Sequence, residues 1–297
     1  TDPYDTEAIT TVITGSAGSI AVALNFAVAI NGSVNRAKVG GTGGILTANN
    51  TLDISANGRT KAYAVVINAA GGGIAANVSM AYATLSSVQE ALLSGNAKVT
   101  TGNLTVKSTQ NQVDTKGSPF GVLLEYKNKG VLTGETKTIT PNSMAQAFIF
   151  SASAGIACVT ANTATALSNA TSRAKASAAD LTITGNGNIT IQNTADSVAT
   201  ITVDNLKAGW LSVGVMVGYA RAAGTFEALL ESTGKIDAKN ISITNTWKGK
   251  ADAVLTPALG GINASYYGGE ANLAFADVIT QANTGIKGSG AIGSTDK

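Results

Sequence analysis

Catalysis needs ionisable or nucleophilic side chains gathered in one place, and this chain is poor in them. Its 297 residues hold no His, one Cys (Cys158) and only 13% charged residues. Without His, the common zinc, haem and iron–sulfur sites and the Ser–His and Cys–His nucleophile pairs cannot be built within one chain. A single Cys excludes an intrachain disulfide framework, and no phosphate-binding P-loop is present. Glycoside hydrolysis wants two carboxylates facing one cleft. The acids here are scattered: Glu90, Glu125, Glu135, Glu227, Glu231, Asp252 and Glu270. Glu90 and Glu227 fall at equivalent positions of the repeat described below, with Arg36 and Arg173 at neighbouring ones; the reading is outward, solvated strand positions. A β-helix polysaccharide lyase would want clustered Asp for calcium and an Arg or Lys base, and Arg59 and Arg221 have no Asp cluster beside them. The segment TGNGNIT (184–190) lacks the Asp of Gly-rich calcium repeats and reads as a turn. Cys158, within AGIACVTA, reads as a buried small hydrophobe. These residues predict a protein that is not an enzyme and takes no metal or cofactor.

Charge narrows the partners. A net charge of +2 with four Arg is too small for an electrostatic nucleic-acid binder. From Ile9 to Asn35 there is no charge, but Thr14, Gly15, Ser16, Gly18, Ser19, Asn25 and Asn31 interrupt the run, so no stable transmembrane helix is expected there. The chain opens Thr1-Asp2-Pro3, without a signal segment. Of the eight Asn-x-Ser/Thr sequons, several mark the start of a Thr-rich strand more simply than a glycan site.

Internal repetition carries the most information. The segments TLDIS (51–55), NLTVK (103–107), NITIQ (188–192) and NISIT (240–244) share one pattern, 52 residues apart except for a step of 85 in the middle. A second marker runs through Ala37, Ala91, Ala174, Ala228 and Asp277, and a third through Ile20, Ile74, Ile156, Leu211 and Ile262. The three markers keep step. They predict a single array over 1–297, made of five repeats of about 52–54 residues. The middle repeat carries an insertion at about 118–143, which holds two of the four prolines and five charges. Within that insertion Phe120, Tyr126, Lys127, Lys129 and Lys137 form a candidate contact surface, because loops on a regular scaffold often carry binding.

Leu52/Ile54 and their counterparts alternate with Asp, Ser or Thr, the period-2 mark of a half-buried strand. In 62–85, 144–168 and much of 208–223 both alternating faces are small or apolar, which predicts strands covered on both sides. It also predicts that Gly72→Val or Ala76→Leu would disrupt packing. A unit that cannot bury its own apolar face must stack on its neighbours. The expected fold is therefore all-β, a parallel β-helix-like solenoid, with about 50 residues allowing either roughly two β-helix turns or one wide turn carrying a long hairpin. The array looks cut rather than capped, so it is expected to be a fragment of a longer array or a protomer that pairs with itself.

Units such as SIAVALNFAVAINGSVNRAKVGG (19–41) and GIAANVSMAYATLSSVQEALLSGNAKVTTGNLTVKST (73–109) resemble the large secreted β-strand-repeat surface proteins of bacteria. These include filamentous-haemagglutinin-like adhesins and leukotoxin-like repeat proteins. The resemblance covers roughly 9–290 apart from the insertion. It implies an extracellular, cell-surface β-solenoid that acts as an adhesin or structural filament. Its partners would be further copies of itself, head-to-tail or lateral, and a host or cell-surface ligand. The rivals are a membrane-inserting toxin-like β-protein and, more remotely, the lyase.

Overall fold

The computed structural model describes residues 4–41, 43–95, 97–111, 144–256, 264–288 and 292–293. They form β1 (Tyr4–Val39), β2 (Ile45–Leu93), β3 (Lys98–Gln110), β4 (Ala145–Ala178), β5 (Asp180–Ile183), β6 (Asn188–Ser232), β7 (Ile236–Asp237), β8 (Asn240–Thr256), β9 (Ala264–Gly288) and β10 (Ile292–Gly293). The described residues include no helix. All the strand pairings are parallel and belong to one sheet. This is an all-β architecture compatible with a β-helix-like fold.

The register explains the repetition. Tyr4 of β1 pairs with Gly58 of β2, a step of 54, and Ala145 of β4 with Ala199 of β6, again 54. Leu52, Leu104, Ile189 and Ile241 fall in one column, as do Ala37, Ala91, Ala174 and Ala228. The step rises from 52 at Gly58–Gln110 to 83 at Ala62–Ala145. The segment between, 112–143, lies outside the described residues. Two of the expected markers are displaced. Ala228 pairs with Thr284, and Asp277 with Arg221, because the step widens to 56 between β6 and β9. The third marker runs Ile20, Ile74, Ala157, Leu211, Tyr267 rather than through Ile156; Ile262 is outside the described residues.

Each long strand folds over on itself without hairpin hydrogen bonds. In β1 the bend lies near Gly18, and the two arms face each other through side chains. Thr14 Oγ1 donates to Asn25 Oδ1 at 2.6 Å across the bend, and Asn31 Nδ2 donates to the Thr6 carbonyl at 3.0 Å. One wide turn thus accounts for each step, but the long hairpin expected on it is not found, since the pairings among the described residues are all parallel. Glycine marks the bend because the next strand's backbone passes so close. A Cβ on Gly155 would collide with the Gly72 carbonyl oxygen, and one on Gly209 with that of Gly155. The expectation for Gly72 fits the same geometry, since its Cβ would meet the Gly18 carbonyl oxygen.

The interior is zoned along the strands. One zone joins Ile54, Val106, Ile191, Leu93 and Leu230; a second joins Val66, Leu85, Ile149, Ile201 and Phe226. A small third zone at the bend holds Ala21, Ala70, Ala75 and Cys158. Hydrogen-bonded polar side chains separate them. Ser172 Oγ donates to Asn193 Oδ1 at 2.6 Å, and Asn193 Nδ2 to Asn245 Oδ1 at 2.8 Å. Nearer the bend, Asn77 Nδ2 donates to Ser153 Oγ at 2.8 Å and Asn205 Nδ2 to Thr160 Oγ1 at 2.7 Å. These hydrogen bonds offset part of the cost of burying the polar groups.

Two-sided burial holds only for part of the predicted stretch. Tyr63, Val65, Gln146 and Phe148 are buried on the side opposite Ala62, Ala64, Ala145 and Ala147, which are buried too. From Ile74 onward the second side is open, with Ile74 47% and Met80 38% exposed. Ala76 lies on that open side, so the expectation for Ala76→Leu is overturned.

Candidate interaction surfaces

The exposed side of the second arm is the largest chemical feature of the molecule. In β1 the inward residues are Ala21, Ala23, Asn25, Ala27, Ala29 and Asn31, all buried. The outward ones are Ile20, Val22, Leu24, Phe26, Val28 and Ile30, between 46% and 68% exposed. Register carries this side across β2, β4, β6 and β9 through Ile74, Val78, Met80, Val159, Leu211, Val213, Val215, Leu273 and Phe275, all exposed. At about 3.3 Å per residue and about 4.8 Å between strands, the apolar side covers on the order of 700 Å². Isolated exposed hydrophobics need no explanation, but a contiguous patch of this size marks an interaction site. The alternation of large and small residues in AVALNFAVAI was visible in the sequence; which parity faced out was not.

A ladder of charge borders this side. Arg36, Glu90, Arg173 and Glu227 share one column. Arg36 Nε lies 2.6 Å from Glu90 Oε2, Arg173 Nη1 3.2 Å from Glu90 Oε1, and Arg173 Nε 2.9 Å from Glu227 Oε2. Asn283 Nδ2 continues it by donating to Glu227 Oε1 at 3.2 Å. The expectation of solvated positions is corrected here: Glu90 points outward yet is only 4% exposed, because two guanidinium groups close over it. The alternating signs were legible; the burial came from stacking. Arg221 has one acidic neighbour, Asp277, whose Oδ2 lies 3.8 Å from its Nε.

The opposite outer side is polar. Over the shared strand motif the outward residues are Asp53, Thr105, Thr190 and Ser242, then Ser55, Lys107, Gln192 and Thr244. Asn103, Asn188 and Asn240 line its edge. Asn103 Oδ1 accepts from the Asn188 backbone N–H at 3.0 Å, and Asn240 Nδ2 donates to Asn188 Oδ1 at 2.8 Å. The segment 184–187 is a turn, with Gly185 and Asn186 at φ 65° and 59°.

One charge sits inside. Lys207 is 1% exposed, and its Nζ lies 3.5 Å from a Glu270 carboxylate oxygen. Sequence reasoning passed over Lys207, because nothing in its spacing distinguishes an inward lysine from an outward one. Cys158 is buried against the bend, and its thiol is pushed up from its ordinary pKa by desolvation. Burial, reinforced by the negative charge of Glu7, likewise holds the Tyr63 phenol in its neutral form. Among the described residues no three His, Cys, Asp or Glu side chains gather in a metal-binding group. No helix among them is long and apolar enough to cross a membrane. The candidate contact residues Phe120, Tyr126, Lys127, Lys129 and Lys137, like Glu125 and Glu135, lie outside the described residues. Compared with known proteins, the chain matches no family model, no curated protein and no solved structure.

Proposed function

We propose that the chain is a structural segment of a secreted β-solenoid carried on a cell surface. Five stacked copies of a unit of about 52–54 residues would make a rod whose task is extension and contact rather than catalysis, with no cofactor and no nucleic acid involved. The observation that carries this reading is the in-register parallel stacking. Among the described residues β1 pairs only with β2, and β8 and β9 only with β6. Long parallel strand edges of this kind favour pairing with a further unit of the same fold. Negative-stain electron microscopy over a concentration series tests it. Filaments with a regular axial repeat are expected, and discrete rods of one chain length at every concentration would overturn end-to-end pairing.

The membrane-inserting alternative has one observation in its favour, the apolar outward side of 20–30. Against it, membrane barrels are antiparallel, whereas the pairings here are parallel. Leakage of lipid vesicles at low protein concentration is the outcome that would favour that alternative. The lyase reading would require cleavage of an acidic polysaccharide.

A further inference from the structure

We propose that the apolar side formed by 20–36 of β1 and its partners in β2, β4, β6 and β9 is the docking face for a second copy of this chain, laid over it with its strand order reversed. The proposal concerns a sheet face and not the strand edges, so it does not rest on end-to-end pairing.

Three observations select that occupant. The first is area. From the Ile20 column to the Arg36 column, across the four strands that overlap, the face covers on the order of 900 Å². A standard stable protein–protein interface buries about 800 Å² per partner.

The second is charge. The column Arg36, Glu90, Arg173, Glu227 alternates in sign along the stack. Rotation about an axis parallel to the strands lays β1 of one copy over β6 of the other, and β2 over β4. That places Arg36 opposite Glu227 and Glu90 opposite Arg173, so the ladder complements its own reversed image. A two-fold axis perpendicular to the strands keeps the strand order but reverses the strand direction, which carries the ladder away from its counterpart.

The third is shape. In the same alignment Ala76 faces Val159 and Val78 faces Ala161, so small meets large. Met80 faces Thr163, and Leu24 and Phe26 face Val215 and Val217. A two-fold interface must be self-complementary in this way.

A bilayer is the other surface that could accept an apolar face. The ladder is internally neutralised, however, and Arg221 is paired with Asp277 within the face, which leaves Lys38 at its edge as a weak hold on anionic lipid.

Sedimentation of the whole chain over a concentration series tests the proposal. Wild type is expected to show a monomer–dimer equilibrium. V213K/V215E, altered at two exposed positions (45% and 42%), is expected to associate at least about 100-fold more weakly with an unchanged circular dichroism spectrum. If that variant loses its β spectrum, Thr163→Arg, at an exposed position that is already polar, replaces it. Orientation is read separately in a Cys158→Ser background. A mixture of Phe26→Cys and Val217→Cys chains is expected to give the mixed cross-link with a short bismaleimide, which alkylates one thiol of each chain and spans the roughly 10 Å between packed sheets, whereas Thr105→Cys mixed with Thr190→Cys on the polar side is not. A wild-type chain that stays monomeric at every concentration overturns the proposal. So does binding to neutral phosphatidylcholine vesicles that V213K/V215E abolishes, since the face would then belong to lipid. If filaments form, the face variant should halve their width and leave their length unchanged, so that failure of the face and failure of the ends are told apart.

Discussion

The strand motif around residues 51–55 and the arm around residues 20–31 are built from the same alternation with opposite sense. In the first, Leu52 and Ile54 point inward and Asp53 and Ser55 outward, the usual arrangement for a half-buried strand. In the second, alanine and asparagine point inward while isoleucine, valine, leucine and phenylalanine point to solvent. The difference shows that interior space, not hydrophobicity alone, decides which parity is inside. Near the bend the inward side chains between the two arms are mostly small or hydrogen-bonding, with Met216 and Leu85 as the large exceptions. At the far zone the arms enclose room for Leu93, Ile54 and Leu230. The large residues of the tight arm are left outside, where another surface must cover them.

This contrast can be broken most sharply at the bend. Gly155→Val places atoms against the Gly72 carbonyl on a backbone held from both sides. It is expected to lower unfolding free energy by more than about 3 kcal/mol, read from the urea midpoint. Ala76→Leu, four residues past Gly72 in the same arm but on the open side, should stay within about 0.5 kcal/mol of wild type. Equal effects from the two would erase the distinction between a tight inside and an open outside.

The next effect belongs to the polar interior of the tight arm. Lys207→Met leaves the Glu270 carboxylate unpaired in a nearly dry setting and is expected to cost about 3 kcal/mol. Lys207→Met/Glu270→Gln should recover most of that loss. A double variant no better than the single would mean that the pair is not coupled.

At the border of the apolar side, Glu90→Ala leaves Arg36 and Arg173 facing each other. Because those arginine side chains are 50% and 39% exposed, water screens much of the repulsion. A loss of about 1–2 kcal/mol is expected, shrinking as salt is raised. A loss that salt does not change would assign the effect to packing instead.

The smallest effect lies on the polar side. Burial raises the Asp196 carboxyl above its ordinary value, partly countered by Lys248. A carboxylate with a raised folded-state pKa lowers stability above that pKa, and the penalty vanishes below the unfolded value of about 4. Asp196→Asn should therefore raise the melting temperature slightly at pH 7 and leave it unchanged near pH ~3. A stabilisation that persists in acid would rule out the carboxylate as its cause.

Much of the register was legible because Leu52, Leu104, Ile189 and Ile241 must share one column to be buried together. The last strand was misaligned because Asp277 was taken as the equivalent of Ala228, while the step lengthens from 52 between β6 and β8 to 56 between β6 and β9. The open face was misread for a different reason. Alternation reports two sides, but not which one meets the opposing arm, and that is decided by residues such as Thr14 and Asn68 some ten positions away across the bend. The ion ladder was half visible: the signs alternated in the sequence, but only stacking about 5 Å apart turns them into a buried acid between two bases.

The step of about 54 residues between neighbouring strands has a kinetic consequence. There is no local pairing with which to begin, since each strand finds its partner only after the chain has travelled a full circuit. Closing the first circuit costs about 3–4 kcal/mol of chain entropy beyond a constant, with no sheet yet in place to receive it. Every later circuit is laid against an edge that already exists, and one alignment then secures some thirty residues together, as from Ala145 to Ala178. Folding of such a molecule is governed by its first contact and spreads from there along the stack, as a crystal grows once seeded.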